Sequence, residues 1–139
     1  GGGRWPGRVG PAPPPGHILG YTCANDVTAR DLQQRDGQWT RAKSFDTFCP
    51  LGPWIETSFT CEGKRISSAV NDVLRQDSTL DNLIFKPHEL LSFISSVMTL
   101  EPGDVVLTGT PAGIGKLFSN DRISVTIEGI GILANIVSE

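Results

Sequence analysis

A single strong helical signal, PHELLSFISSVM at 87–98, stands among short β-favourable segments punctuated by Gly and Pro. Pro87 suits a first helical turn. Leu90, Leu91, Ile94 and Val97 recur at helical spacing, and Phe93 widens the apolar stripe. The rest reads in shorter pieces. HILGYTCAND is β-favourable as far as Cys23, and 28–35 reads as a helix capped by Thr28 and ended at Gly37. WIETSFTCEGKRISS resembles a hairpin turning at Glu62-Gly63-Lys64, and DVVLT reads as a strand. RISVTIE and ILANIV form two more strands joined through Gly129-Ile130-Gly131, with Ile123, Val125 and Ile127 alternating. Strands do not alternate regularly with long helices, so a β-rich mixed α/β fold is expected rather than a doubly wound parallel one.

The 139 residues suffice for one small domain. Residues 1–16, dominated by Gly, Pro and Arg, show neither strand nor helix period and read as a loose leader; 17–139 read as the domain. Lys and Arg number 12 against 15 Asp and Glu, a formal charge of -3, which predicts no general attraction to nucleic acid or to an anionic membrane. A local cationic pocket for an anionic metabolite remains compatible with that balance. No apolar run reaches the ~18 residues that a spanning helix needs. Cys23, Cys49 and Cys61 fit neither a disulfide framework nor a zinc knuckle, so a reduced cytoplasmic protein is expected.

The densest polar cluster is NDVTARDLQQ. With Asp26 at the entrance of a helix, Arg30 and Gln33 fall near one side and Asp31 points elsewhere. A carboxylate, a guanidinium and an amide there suit a divalent cation with an oxygen-rich anion; equally, Asp26 caps the helix and Arg30 pairs with a nearby acid. Lys43, in RAKSFDTF, is placed to polarise a carbonyl or stabilise an enolate, or is an ordinary surface lysine; Asp46 either holds it or caps a turn. TGTPAGIG offers backbone N–H groups and the hydroxyls of Thr108 and Thr110 as an oxyanion nest, or is simply a glycine-rich turn. It does not match a nucleotide-binding loop. His17 and His88 lack companions at zinc-ligand spacing, and no G-x-S-x-G elbow is present. Trp39 and Trp54 read as packing residues or pocket walls, and Trp5 lies in the leader.

Taken together, GYTCANDVTARDLQ at 20–33, QWTRAKSFDTFCPLGPW at 38–54, LRQDST at 74–79 and EPGDVVLTGTPAGIG at 101–115 resemble the fumarylacetoacetate hydrolase family. The similarity is greatest to its bacterial-type branch of 2-hydroxyhepta-2,4-diene-1,7-dioate isomerases and fumarylpyruvate hydrolases. The resemblance implies a β-roll, a dimer, and a Mg²⁺- or Mn²⁺-dependent hydrolase or isomerase of 2,4-dioxo or 2-hydroxy-dienoic acids, as in aromatic catabolism. It implies Asp26 as metal ligand, Arg30 and Lys43 as catalytic groups, and Arg30, Gln33, Lys43 and Thr110 as substrate contacts. In the family the metal chelates the carboxylate and 2-oxo oxygens and stabilises an enolate.

The same resemblance implies two further ligands from a Glu-x-Glu phrase and a lid bearing a His–Glu pair. No Glu-x-Glu occurs in the sequence. The expectation is therefore a roll incomplete at its N-terminal side, weak or no metal binding, and impaired turnover. The alternatives are a catalytically inactive domain that binds a metabolite or partner, and an oxaloacetate-type decarboxylase.

Overall fold

The computed structural model describes residues 15–138. The leader expected at 1–16 lies outside them except for its last two residues, which open a short 3-10 turn, Pro15–His17. The chain divides into two compact units. One comprises Gly20–Asp81 with Pro111–Glu139, the other Asn82–Thr110 with the described residues up to Leu19.

The larger unit is built on strands. β1 (Tyr21–Ala24) pairs antiparallel with β2 (Leu51–Glu56). Between them lie two short helices, α1 (Arg30–Asp36) and α2 (Thr40–Lys43). β3 (Arg65–Val70), β4 (Val73–Thr79), β5 (Arg122–Ile127) and β6 (Gly131–Ile136) form a second antiparallel sheet in the order β4-β3-β5-β6. Neither sheet closes on itself, so the expected β-roll is corrected to a mixed α/β arrangement of a two-stranded ribbon and an open four-stranded sheet. The physical reason is strand number. With ~20–25° of twist between neighbours, four strands leave β4 and β6 as edges, whereas small closed barrels take about eight.

Alternation along β5 puts Val125 and Ile127 in the core, opposite Leu133 and Gly131 of β6 respectively, while Ile123 is half-buried. Ile130, in the turn between those strands, is 2% exposed and is the largest fully buried side chain. The ribbon packs against β5 and β6: the Cys23 thiol donates to the Gly131 carbonyl at 3.6 Å, and Gly52 faces the Leu133 side chain. β3 and β4 are joined at Asn71-Asp72, both with positive φ (50° and 64°), the conformation of the tight hairpin turn. Asn71 then clamps the start of β5, its amide donating to Asp121 at 2.8 Å and its oxygen accepting the Arg122 N–H at 2.9 Å.

The hairpin expected around Glu62-Gly63-Lys64 does not form. A turn exists there, Lys64 N–H to Cys61 carbonyl at 3.2 Å, but its flanking strands enter different sheets. In the smaller unit α3 (Pro87–Val97) confirms the helical segment, with Pro87 in the first turn and the Glu89 carboxylate accepting the Lys86 N–H at 2.6 Å. Leu90, Leu91 and Ile94 are half-buried, whereas Phe93 and Val97 stay exposed. DVVLT at 104–108 is no strand, because the described part of that unit offers none to pair with.

Candidate functional site

The backbone leaving β1 is held by Asn25 N–H to the Pro50 carbonyl at 3.1 Å, which fixes where Asp26 emerges. α1 starts two residues later than the sequence suggested. Ala29, not Thr28, is its cap residue, and the Ala29 N–H donates to the Ala42 carbonyl of α2 at 2.9 Å. That bond ties the two helices at one end. At the other, Arg41 grips Asp36 with two hydrogen bonds of 2.7 and 2.6 Å, and the guanidinium holds the Asp36 carboxyl below the usual carboxylate range. Gly37, in left-handed conformation with φ 68°, makes the reversal between them possible. Ala42 is fully buried, so α2 presents Lys43 from an anchored turn.

These constraints converge on Lys43. Its ammonium donates a short hydrogen bond to Asp26 Oδ2 and a second, at 3.2 Å, to Thr28 Oγ1. The Thr28 hydroxyl in turn donates to the Asp26 backbone carbonyl at 3.0 Å. The Trp39 ring lies 5.9 Å from Nζ, within cation–π reach. The side chains of Lys43 and Asp26 remain 26% and 38% exposed, so a solute can approach the pair. Arg30 Nη1 donates to Gln33 Oε1 at 2.5 Å, which orients the guanidinium along the exposed side of α1. Thr110 is exposed and ends the smaller unit.

The structure thus brings Asp26 and Lys43 together, and Arg30 with Gln33. Asp31 and Asp46 are exposed, and the carboxylate that holds Lys43 is Asp26, not Asp46. Thr28 and Trp39 also contact the Lys43 ammonium, which their sequence context did not reveal. Thr28 looked like a cap because its spacing to Asp31 imitates a capping box, and Trp39 read as a packing residue or a pocket wall.

A Mg²⁺ or Mn²⁺ centre needs several convergent hard oxygens. Among the described residues no group of three or more His, Cys, Asp or Glu side chains is placed to hold a metal ion. Asp26 contributes one carboxylate, and that carboxylate is already bonded to an ammonium. The donor set of the described residues therefore does not fit such a centre. No helix among them is long and apolar enough to cross a membrane.

Comparison with known proteins gives a concordant result. Residues 3–138 match the fumarylacetoacetate hydrolase C-terminal family. An uncharacterized protein of Methanocaldococcus jannaschii is 54% identical over 123 residues, covering 88% of this chain and 52% of its own. The oxaloacetate tautomerase YisK of Bacillus subtilis is 45% identical over 129 residues, covering 86% and 43%. The crystal structure of 2-hydroxyhepta-2,4-diene-1,7-dioate isomerase from Mycobacterium marinum superposes with a TM-score of 0.85 at 51% identity, covering 87% of this chain and 48% of that one. The chain spans about half the length of the curated relatives it matches. With a match over nearly all its residues and relatives at this identity, the chain belongs to the fumarylacetoacetate hydrolase family.

Proposed function

We propose that the chain carries the 2-oxo-acid-recognising part of a hydrolase or isomerase that acts through an enol or enolate. One observation carries the reading: an ammonium fixed by a carboxylate, a hydroxyl and an aromatic face, yet open to solvent, on α2 of the larger unit. Such a group presents positive charge at a defined point without reorganising, which is what a developing enolate oxygen requires. Arg30, bonded through Nη1 to Gln33, supplies a planar guanidinium suited to the adjacent carboxylate of a 2-oxo acid. Oxaloacetate and 2-hydroxyhepta-2,4-diene-1,7-dioate, the compounds named for the relatives, share this carboxylate-plus-enolisable-oxo unit.

In this reading Lys43 donates to the 2-oxo oxygen and holds the negative charge that grows there as the neighbouring carbon loses its proton or its acyl group. Asp26 and Thr28 keep the ammonium aimed. Reaction outcomes differ in what leaves the carbon. Tautomerisation passes a proton to a base, hydrolysis releases an acyl group as a carboxylic acid after water adds to its carbonyl, and decarboxylation releases carbon dioxide. The C–H or C–C electron pair passes to the enolate in each. The working assembly is a homodimer, and its substrate a small anion rather than nucleic acid or membrane.

A second reading is a domain that binds such anions without turnover. It is favoured by the engagement of Asp26 with Lys43 and by the absence of companion carboxylates among the described residues. One experiment separates them. The purified chain is given oxaloacetate, and enol-to-keto conversion is followed by ultraviolet absorbance; acylpyruvate cleavage is assayed in parallel, each with and without Mn²⁺. Turnover lost in Lys43→Met supports the catalytic reading. Oxalate binding without turnover supports the second, and neither binding nor turnover refutes both.

A further inference from the structure

Trp39 stands at the start of α2, 58% exposed, and Lys43 ends the same helix. Exposed aromatics are common on folded chains; what sets this one apart is its placement. The Lys43 N–H donates to the Trp39 carbonyl at 3.1 Å, a single helical turn that sets the two side chains on one face. The buried Ala42, whose carbonyl accepts the Ala29 N–H at 2.9 Å, anchors that turn. Ring and ammonium are therefore presented together.

An ammonium has three N–H groups. Asp26 and Thr28 accept from two of them, and among the described residues no side chain accepts from the third. The Trp39 ring centroid lies 5.9 Å from the nitrogen, at the outer limit of cation–π attraction, so the ring does not use up that donor. A charge-assisted hydrogen bond takes about 2.8 Å and a stacked layer about 3.5 Å. Set at an angle, the two span the separation of nitrogen and ring. A flat ligand whose oxygen accepts the third N–H can thus lay its carbon chain on the indole. A two-carbon anion ends at the ammonium and leaves the ring bare. A longer saturated chain reaches the ring but loses conformational freedom in lying flat, a cost that a conjugated chain does not bear.

We infer that Trp39 is a specificity-determining residue: its exposed indole face stacks the conjugated chain of an acid whose oxygen Lys43 holds, and so favours extended unsaturated acids over short or saturated ones. The inference rests on the proposed function for the lysine as the anchor of the anion. It deepens that reading by assigning the part of the site that recognises the rest of the substrate. Every residue it invokes belongs to the larger unit.

Calorimetry on the full chain with oxalate, adipate and trans,trans-muconate separates this role from that of a ring that merely steadies the lysine. The three are a two-carbon dianion, a saturated six-carbon dianion and its flat conjugated counterpart. The parent should bind muconate more tightly than adipate. Trp39→Leu keeps an apolar side chain and removes the aromatic face; it should weaken muconate about 2–12-fold, the worth of an aromatic pair, and leave oxalate unchanged. Trp39→Phe should lose less than Trp39→Leu. Oxalate and muconate weakened by one common factor would mean that the ring only orients the ammonium, and overturns the inference. Muconate affinity unaltered in Trp39→Leu, or a parent that binds muconate no better than adipate, overturns it too. A parent that binds no oxalate refutes the reading of the lysine site itself, whereas oxalate bound without a Trp39-dependent preference refutes the role of the ring alone.

Discussion

Replacing Lys43 by Met separates the structural weight of this side chain from its weight in binding. In the folded chain Lys43 bonds Asp26 and Thr28 while 26% exposed, and Asp26 is 38% exposed. A pair so open to water contributes about 0.2–1 kcal/mol to stability, and Met keeps an apolar stem of similar length at this position. The unfolding midpoint should therefore barely move. Binding should respond differently. A hydrogen bond from a charged donor is worth about 1.5–3 kcal/mol, or roughly 10–150-fold in affinity. Removing the ammonium also leaves Asp26 uncompensated, and its negative charge would then repel the ligand. Calorimetry with oxalate, a stable dianion that imitates the enolate of a 2-oxo acid, should show an affinity loss of at least tenfold without a matching loss of stability. Salt should weaken binding to the unsubstituted chain more than to the variant. The reasoning is refuted if Lys43→Met binds oxalate as the parent does, or if stability falls as far as affinity.

Three further outcomes follow from the scaffold. Ile130→Ala, which hollows a side chain 2% exposed at the β5–β6 turn, should cost about 2–5 kcal/mol in urea unfolding at unchanged m-value; a loss under ~1 kcal/mol would show that the site collapses around the gap. Asp121 accepts the Phe118 backbone N–H and the Asn71 amide, both at 2.8 Å, and these hold its carboxyl below the usual range, the backbone bond most. A lowered folded-state value gives stability that is complete above the unfolded carboxyl's ~3.9 and is lost as pH falls through the folded value. The gap in unfolding midpoint between the parent and Asp121→Asn should thus be open at pH 6 and close below about pH 4; a gap independent of pH would contradict this. Burial pushes the Cys23 thiol up, so at pH 8 an aromatic disulfide reagent should label Cys49 and Cys61 in the native protein and reach Cys23 only after unfolding, as peptide mapping would report.

Much of this arrangement was legible in the sequence, and the failures share a cause. β1, β5, β6 and α3 were readable because each carries an apolar pattern whose period is local information. Asp26, Lys43, Arg30 and Gln33 were singled out through motifs, and the structure joins them in two pairs. What could not be read was pairing. WIET and KRISS look like two arms of one hairpin because Gly63 sits between them, yet β2 takes β1 as partner and β3 takes β4 and β5. DVVLT has the composition of a strand, but the described residues of its unit offer no strand beside it. The turn at Asn71-Asp72 lacked the Gly that usually flags it, and α2 is too short, at four residues, to display a period. The β-roll was borrowed from the resemblance, and the strands present are too few to close it.

The same shortness has a consequence for dynamics. α1 has seven residues and α2 four, whereas isolated helices below ~12–15 residues are marginal in water. Their persistence depends on a few tertiary ties: Ala29 to Ala42, Asp36 to Arg41, and Asp26 and Thr28 to Lys43. Apart from the first, these are side-chain bonds at least partly open to solvent, and no residue of α1 is buried. β3 and β5, by contrast, are hydrogen-bonded on both sides within the four-stranded sheet. Segments with few buried contacts open well below the free energy of global unfolding. The layer that carries Lys43 should therefore open as a unit while the sheet remains closed. Native-state hydrogen exchange should give amides of α1 and α2 a common, low opening free energy, reduced further by Arg41→Ala, with β3 and β5 exchanging through global unfolding. If α1 and α2 are as protected as β3, the side-chain ties are stronger than their exposure implies. If Arg41→Ala leaves Lys43 protected while α1 opens, the two helices are independent, and the Asp36–Arg41 bond does not position the lysine.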